Sequence, residues 1–156
     1  MPPPAVCKIP YRRSRFTTRL PDDRLYTPAH FWLKQVEPDA WQVGFTQFAT
    51  RMLGDLVEHG FEVKAGDAVE LAQTVGWIEA FKATTDLFCA GTGEFLGRNV
   101  TLDVTPALFD ADPYNAGWLY TFRGRPDPAA TNVTGYVAQL DRAIDKILGQ
   151  GPEGGR

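Results

Sequence analysis

The chain has 156 residues and a mass of 17.3 kDa, a single-domain length, and its 44% hydrophobic and 22% charged residues exclude a disordered composition. A net charge of −3 and a pI near 5.3 exclude a general nucleic-acid binder, which needs a basic surface to neutralise phosphates. Two cysteines (Cys7 and Cys89) and two histidines (His30 and His59) exclude a four-thiolate zinc site and multi-histidine metal sites.

Residues 1–21 read as a basic N-terminal arm, in which Lys8, Arg12, Arg13, Arg15 and Arg19 occur without an acid. The segment lacks the apolar run and small-residue cleavage site of a secretory signal. No stretch of the chain reaches the ~20 apolar residues of a membrane span. The expected location is therefore the bacterial cytoplasm, with the mitochondrial matrix as the alternative, and no membrane or nucleic-acid partner is expected.

Residues 22–123 carry short alternating runs separated by Gly and Pro, the texture of strands and turns. Phe31–Val36 reads as a strand and Glu37-Pro38-Asp39 as a turn. Ala40–Phe45 follows as a strand, with Trp41, Val43 and Phe45 on one face. Thr46 can cap a short helix through Leu53, where Phe48 and Met52 stand four apart, and Gly54 is a natural stop. Ala65-Gly66-Asp67 is the next turn. Val69, Leu71, Val75 and Trp77 then alternate in phase. Leu87-Phe88-Cys89 is a second strand, with Gly91-Thr92-Gly93 read as the turn that closes it. Trp118, Tyr120 and Phe122 alternate in a last strand, with Trp118 expected in the core. Beyond a polar connector at 124–130, an amphipathic helix is predicted at 131–149, where Val133, Tyr136, Val137, Leu140, Ile144 and Ile147 form one stripe. That stripe is expected to pack onto the β domain, and 150–156 to be a flexible tail.

Catalytic signatures are missing: there is no Gly-x-Ser-x-Gly elbow, phosphate loop or His-Glu-x-x-His pair. Cys89 lies in a strand-like run and reads as an inert buried thiol. The chain is therefore not expected to be an enzyme in its own right. The informative segment is Ile78-Glu79-Ala80-Phe81-Lys82-Ala83-Thr84-Thr85-Asp86-Leu87, which puts Lys82 between two strand-like runs, where a hairpin presents it to solvent.

This segment resembles the lipoyl-lysine turn of the glycine cleavage system H protein family. An acid (Glu79) stands three before the lysine, Ala83 follows it, and Thr85-Asp86-Leu87 comes next. Biotin carriers place Met on both sides of their lysine, whereas Phe81 and Ala83 flank it here. Further motifs keep the family's order and spacing. They are Tyr26-Thr27-Pro28-Ala29-His30-Phe31-Trp32, Gly44-Phe45-Thr46-Gln47-Phe48-Ala49, Leu53-Gly54-Asp55-Leu56-Val57, Gly66-Asp67-Ala68-Val69 and Asp112-Pro113-Tyr114-Asn115-Ala116-Gly117-Trp118.

The resemblance implies a mainly β, lipoyl/biotinyl-type barrel-sandwich (hammerhead) with short helices and a C-terminal α-helix. It implies lipoic acid joined to Lys82 by a lipoate-attaching enzyme, with Glu79, Asp86, His30 and Phe31 in ligase recognition or around the arm. Such a monomeric carrier would move an aminomethyl group and reducing equivalents between glycine decarboxylase, aminomethyltransferase and dihydrolipoamide dehydrogenase. In typical members Glu stands where this chain has Phe31, and a polar residue where it has Ala29. Those departures leave two alternatives open: an H-like lipoyl carrier of another pathway, such as sulfur oxidation or lipoate relay, and a non-lipoylated scaffold module.

Overall fold

The computed structural model describes residues 6–149. The chain starts as a hairpin, β1 (Lys8–Arg13) paired antiparallel with β2 (Phe16–Pro21) in register from Lys8 opposite Pro21 to Arg13 opposite Phe16. The described part of the basic arm is therefore a packed hairpin. Tyr11 and Leu20 are buried and four of the five basic residues are exposed. Burial comes from the far end of the chain: the Tyr11 hydroxyl donates to Asp141 at 2.8 Å, and Arg13 makes a two-pronged contact with Asp145 at 2.8 and 2.9 Å. The expected tail at 150–156 lies outside the described residues.

Next come β3 (Leu25–Tyr26), β4 (Phe31–Glu37) and β5 (Ala40–Phe45), then α1 (Gln47–Leu53) and β6 (Leu56–Phe61). The middle of the chain supplies β7 (Ala68–Val69), β8 (Thr74–Ala80), β9 (Thr84–Phe88) and β10 (Gly91–Arg98). Two single-turn helices, α2 (Thr101–Val104) and α3 (Leu108–Ala111), precede β11 (Tyr120–Pro126) and the long α4 (Val133–Gly149). A six-stranded sheet runs in the order β3-β4-β5-β11-β10-β7, and a three-stranded sheet in the order β6-β8-β9.

Side chains from both sheets fill the main core, among them Phe31, Val43, Ile78, Leu87, Phe95 and Tyr120. Alternation along β4 sends Phe31 and Leu33 into this core and Trp32 out of its other face. There Trp32 joins a second cluster with Tyr11, Leu20, Tyr26, Phe48 and the Tyr136, Leu140 and Ile144 stripe of α4. The packed α4 is further tied by paired backbone hydrogen bonds between Tyr26 and Thr131 and by stacking of Tyr26 on Tyr136, centroids 4.6 Å apart.

Three local expectations change. Gly91-Thr92-Gly93 opens β10 rather than making a turn, because a Cβ on Gly91 or Gly93 would lie 2.3 or 1.8 Å from a carbonyl of the adjacent β11. Those glycines serve close approach between strands. The Val69–Trp77 run splits into β7 and β8 around a turn, so Leu71 is exposed and a register shift at Thr74/Gly76 leaves Val75 and Ile78 inside. The connector is part strand, since β11 continues through Pro126. Among the described residues, no helix is long and apolar enough to cross a membrane.

Of the tryptophans, Trp32 is the one sealed in. It is 0% exposed, its indole N–H donates to the Pro113 carbonyl at 2.9 Å, and the Arg24 guanidinium lies 4.7 Å over its ring. Trp118, expected in the core, is only half-buried at the edge of the second cluster. Trp32→Ala should therefore cost about 3–5 kcal/mol in urea denaturation and Trp118→Ala clearly less. The opposite order would mean that the second cluster contributes little to folding.

Candidate functional site

The β8–β9 hairpin reverses at Phe81, Lys82 and Ala83, closed by Ala80 N–H to Ala83 O at 2.9 Å and by the Glu79–Thr84 pair. All three tip residues are exposed, Phe81 by 82%. What fixes the tip comes from elsewhere in the chain. The Phe81 N–H donates to Asp55 O and the Lys82 N–H to Leu53 O, both at 2.8 Å. These acceptors belong to the turn that leaves α1.

That turn is built by local sequence. Thr46 caps α1, its hydroxyl accepting from the Ala49 N–H, and Gly54 ends it with φ 88° and ψ −169°. This region of backbone space is essentially closed to residues with a Cβ. A Cβ at Gly54 would also lie 3.0 Å from Lys82 Cγ and 3.2 Å from Lys82 N. The missing side chain is therefore what lets the lysine tip settle on the helix end. Lys82 Nζ then donates to Arg51 O at 3.2 Å, an unfilled acceptor at the negative end of the helix.

Glu79 and Asp86 are exposed on the outward face of the same hairpin, one on each strand: Trp77 pairs with Asp86 and Glu79 with Thr84, and residues two apart share a face. Lys82, Glu79 and Asp86 thus belong to one surface. His30 and Phe31 have other surroundings. His30 takes a left-handed backbone, φ 68°, which turns its ring toward α4 and α1. Its Nδ1 is 2.7 Å from the Tyr136 hydroxyl, which is itself 2.7 Å from Thr46 Oγ1, and its ring packs on Phe48 at 4.8 Å. A Tyr136 hydroxyl that donates to His30 requires a neutral imidazole, and burial lowers the His30 pKa to about 4.

Phe31 is 3% exposed and stacks on Phe45 with centroids 4.7 Å apart. It forms one wall of a hollow of about 120 Å³, shared with Ala29, Phe88, Cys89 and Ala90. The acid on that hollow is Asp127, whose Oδ1 accepts the Ala129 N–H, and not Asp86. The buried Cys89 thiol has its pKa raised by desolvation, in keeping with an inert group. Sequence reasoning did not find the residues that brace the lysine: Arg51, Leu53 and Asp55 act through backbone carbonyls. The available signal was the Gly54 stop, which marks a sharp exit without saying what it meets.

Comparison with known proteins gives one consistent result. The family model described as glycine cleavage H-protein matches residues 24–139. The glycine cleavage system H protein of Mycobacterium bovis is 39% identical over 100 residues, 64% of this chain and 74% of that one. Its counterpart in Bordetella pertussis is 38% identical over 126 residues, 81% of this chain and 91% of that one. A solved glycine cleavage system H protein from Mycobacterium marinum superposes with a TM-score of 0.71 at 31% identity, covering 78% of this chain and 99% of that chain.

Two measurements test the site's construction. Gly54→Ala should lose about 1–3 kcal/mol of stability and speed amide hydrogen exchange at Phe81 and Lys82. Unchanged exchange at both amides would show that Gly54 does not hold the tip. Because His30 binds a proton less readily folded than unfolded, its contribution is full above about pH 6.5 and declines as the pH falls toward about 4. The pKa of His59 is lowered too, so the comparison must be differential. His30→Asn, which tolerates the left-handed backbone, should show a smaller fall in Tm between pH 7 and pH 5 than the parent. An equal fall in both proteins would remove His30 as the acid-sensitive group.

Proposed function

The chain belongs to the glycine cleavage H-protein family of lipoyl carriers, a component of the glycine cleavage system, and from that premise we propose that Lys82 is where its lipoyl group is joined. One observation carries the assignment. Lys82 is an exposed amine on a tip whose backbone is pinned at both Phe81 and Lys82, and its Nζ donates to a carbonyl rather than to a carboxylate. A primary amine so placed fits a carboxylic acid joined as an amide, because acylation needs no buried group to be exposed.

When attached, lipoate supplies a ring-strained disulfide that exchanges readily and carries an aminomethyl group and reducing equivalents. The protein's own part is presentation. A fixed base with a free side chain raises the concentration of the arm's end at whichever enzyme the carrier meets. Glu79 and Asp86, flanking the tip on its outward face, offer two negative points for the lipoate-attaching enzyme to read, and Phe81 offers an apolar one. The partners in this reading are glycine decarboxylase, aminomethyltransferase and dihydrolipoamide dehydrogenase.

Phe31 bears on how the arm is held. A carboxylate in its place would lie against Phe45 in the main core, where desolvation opposes the charge. The ring of Phe31 therefore has an apolar partner in Phe45, and the acid that borders the hollow is Asp127.

Lys82→Arg keeps the charge and removes the acylatable amine. Incubated with a lipoate ligase, lipoate and ATP, the parent should gain one lipoyl group by intact-protein mass spectrometry, and the variant none. Equal incorporation in the variant would refute Lys82 as the attachment site.

A further inference from the structure

The carrier reading uses none of the charge on the N-terminal hairpin. Alternation along β1 and β2 sorts that charge between two faces. Tyr11 and Arg13 face α4, where Arg13 is tied to Asp141 and Asp145. Lys8, Arg12 and Arg19 share the opposite face. Lys8 and Arg12 are four apart on β1, and Arg19 lies across from Pro10, midway between them. All three are exposed.

That face forms one wall of a cleft of about 610 Å³. Across from it stand Gln47 and Arg51, at i and i+4 on α1, and the loop that follows α3. Lys8, Arg12, Arg19 and Arg51 thus converge on one cleft, and none of them makes an ion pair among the described residues. The one carboxylate of the described lining, Asp112, is engaged in its own loop, where Oδ2 accepts the Ala116 N–H at 3.1 Å. A chain with a net charge of −3 therefore gathers unpaired positive charge on one face.

Two features say what fits it. The first is spread. Lys8 and Arg12 are separated by about 13 Å along their strand, too far apart to close on a single phosphate or carboxylate. They suit acidic side chains distributed over a surface, to which each guanidinium offers a fork of donors. The second is position. The Arg51 side chain belongs to the cleft, while its carbonyl oxygen receives Lys82 Nζ at 3.2 Å. A body seated on the cleft therefore has the tip lysine at its edge.

We infer that the cleft is a docking surface for an enzyme that works at the tip and carries an acidic patch beside its active-site mouth, an inference that rests on the assignment of Lys82. Three of the four cations, Lys8, Arg12 and Arg19, precede residues 24–139, the segment matched to the family. The hairpin therefore adds to the carrier a charged wall that the matched segment alone cannot form. Complementary charge speeds encounter and fixes orientation. An acidic partner is repelled by the net negative charge of the carrier and attracted to this one face, and that bias turns the tip toward its active site.

The test uses the full chain with a lipoate-attaching enzyme, glycine decarboxylase, aminomethyltransferase and dihydrolipoamide dehydrogenase from the same organism. Attachment is first verified by mass on the parent and on Lys82→Arg. The triple variant Lys8→Glu, Arg12→Glu, Arg19→Glu alters exposed side chains and should keep the parent's circular dichroism spectrum. With at least one of the four enzymes its KM should rise about tenfold at low ionic strength, with kcat unchanged. The parent's KM should climb with added salt and the variant's should not. Lys8→Gln, Arg12→Gln, Arg19→Gln should fall between the two, and it carries the test if the reversed variant does not fold. Equal KM values for the parent and both variants with all four enzymes would overturn the docking surface while leaving Lys82 in place. Retention of the parent on phosphatidylglycerol vesicles with every KM unchanged would overturn it too, in favour of a lipid-facing surface. Loading of Lys82→Arg equal to the parent's would overturn the Lys82 assignment and the inference with it.

Discussion

The site depends on two backbone hydrogen bonds, from Phe81 N–H to Asp55 O and from Lys82 N–H to Leu53 O. A two-stranded hairpin end is marginally ordered by itself. These bonds attach it to α1, a helix gripped at both ends. At its start, Thr46 connects through the Tyr136 hydroxyl to His30 and so to α4. At its finish, Gly54 turns the chain so that the carbonyls on either side of it, those of Leu53 and Asp55, can receive the tip. Along its length Phe48 enters the second cluster, while Ala49 and Leu53 pack on the main core. The height and direction of Lys82 are thus set by contacts with both cores, although the lysine itself is buried in neither.

That arrangement explains which parts were legible in the sequence. Thr46 and Gly54 could be read because a cap and a stop are local, decided within a few residues. The Lys82 tip could be read because its strands carry their own alternation and the family motif fixes the lysine. The N-terminal hairpin could not, since Tyr11 and Leu20 find their burial more than a hundred residues away on α4. Charge dominates the hairpin's composition, and composition does not show that Asp141 and Asp145 wait opposite. The glycines of β10 misled for a related reason: close approach of a neighbouring strand and a tight turn both select glycine, and only the register with β11 separates them.

His30 and Phe31 show the same limit within a single pair of residues. Adjacent in sequence, both are expected in ligase recognition or around the arm. The left-handed backbone at His30 breaks the alternation and sends its ring to Tyr136, while Phe31 turns into the main core against Phe45. One helps to hold a helix and the other lines a core. The residues that do brace the lysine expose only carbonyl oxygens to it, and a carbonyl carries no residue identity for a motif to register.

The division between backbone and side chain also decides what acylation can change. The tip is held by main-chain donors, which an amide on Nζ leaves untouched. The side-chain contact to Arg51 O is the part that responds: neutralising the lysine removes its attraction to the negative end of α1. Loss of that charge lowers the cost of moving the side chain from a polar helix end onto apolar surface, because an ammonium loses far more hydration on burial than an amide does. An unmodified lysine is therefore favoured at the helix end, and neutralising it removes that preference. Acylation of Nζ would thus release the side chain from the helix end, while the base from which that side chain projects stays fixed.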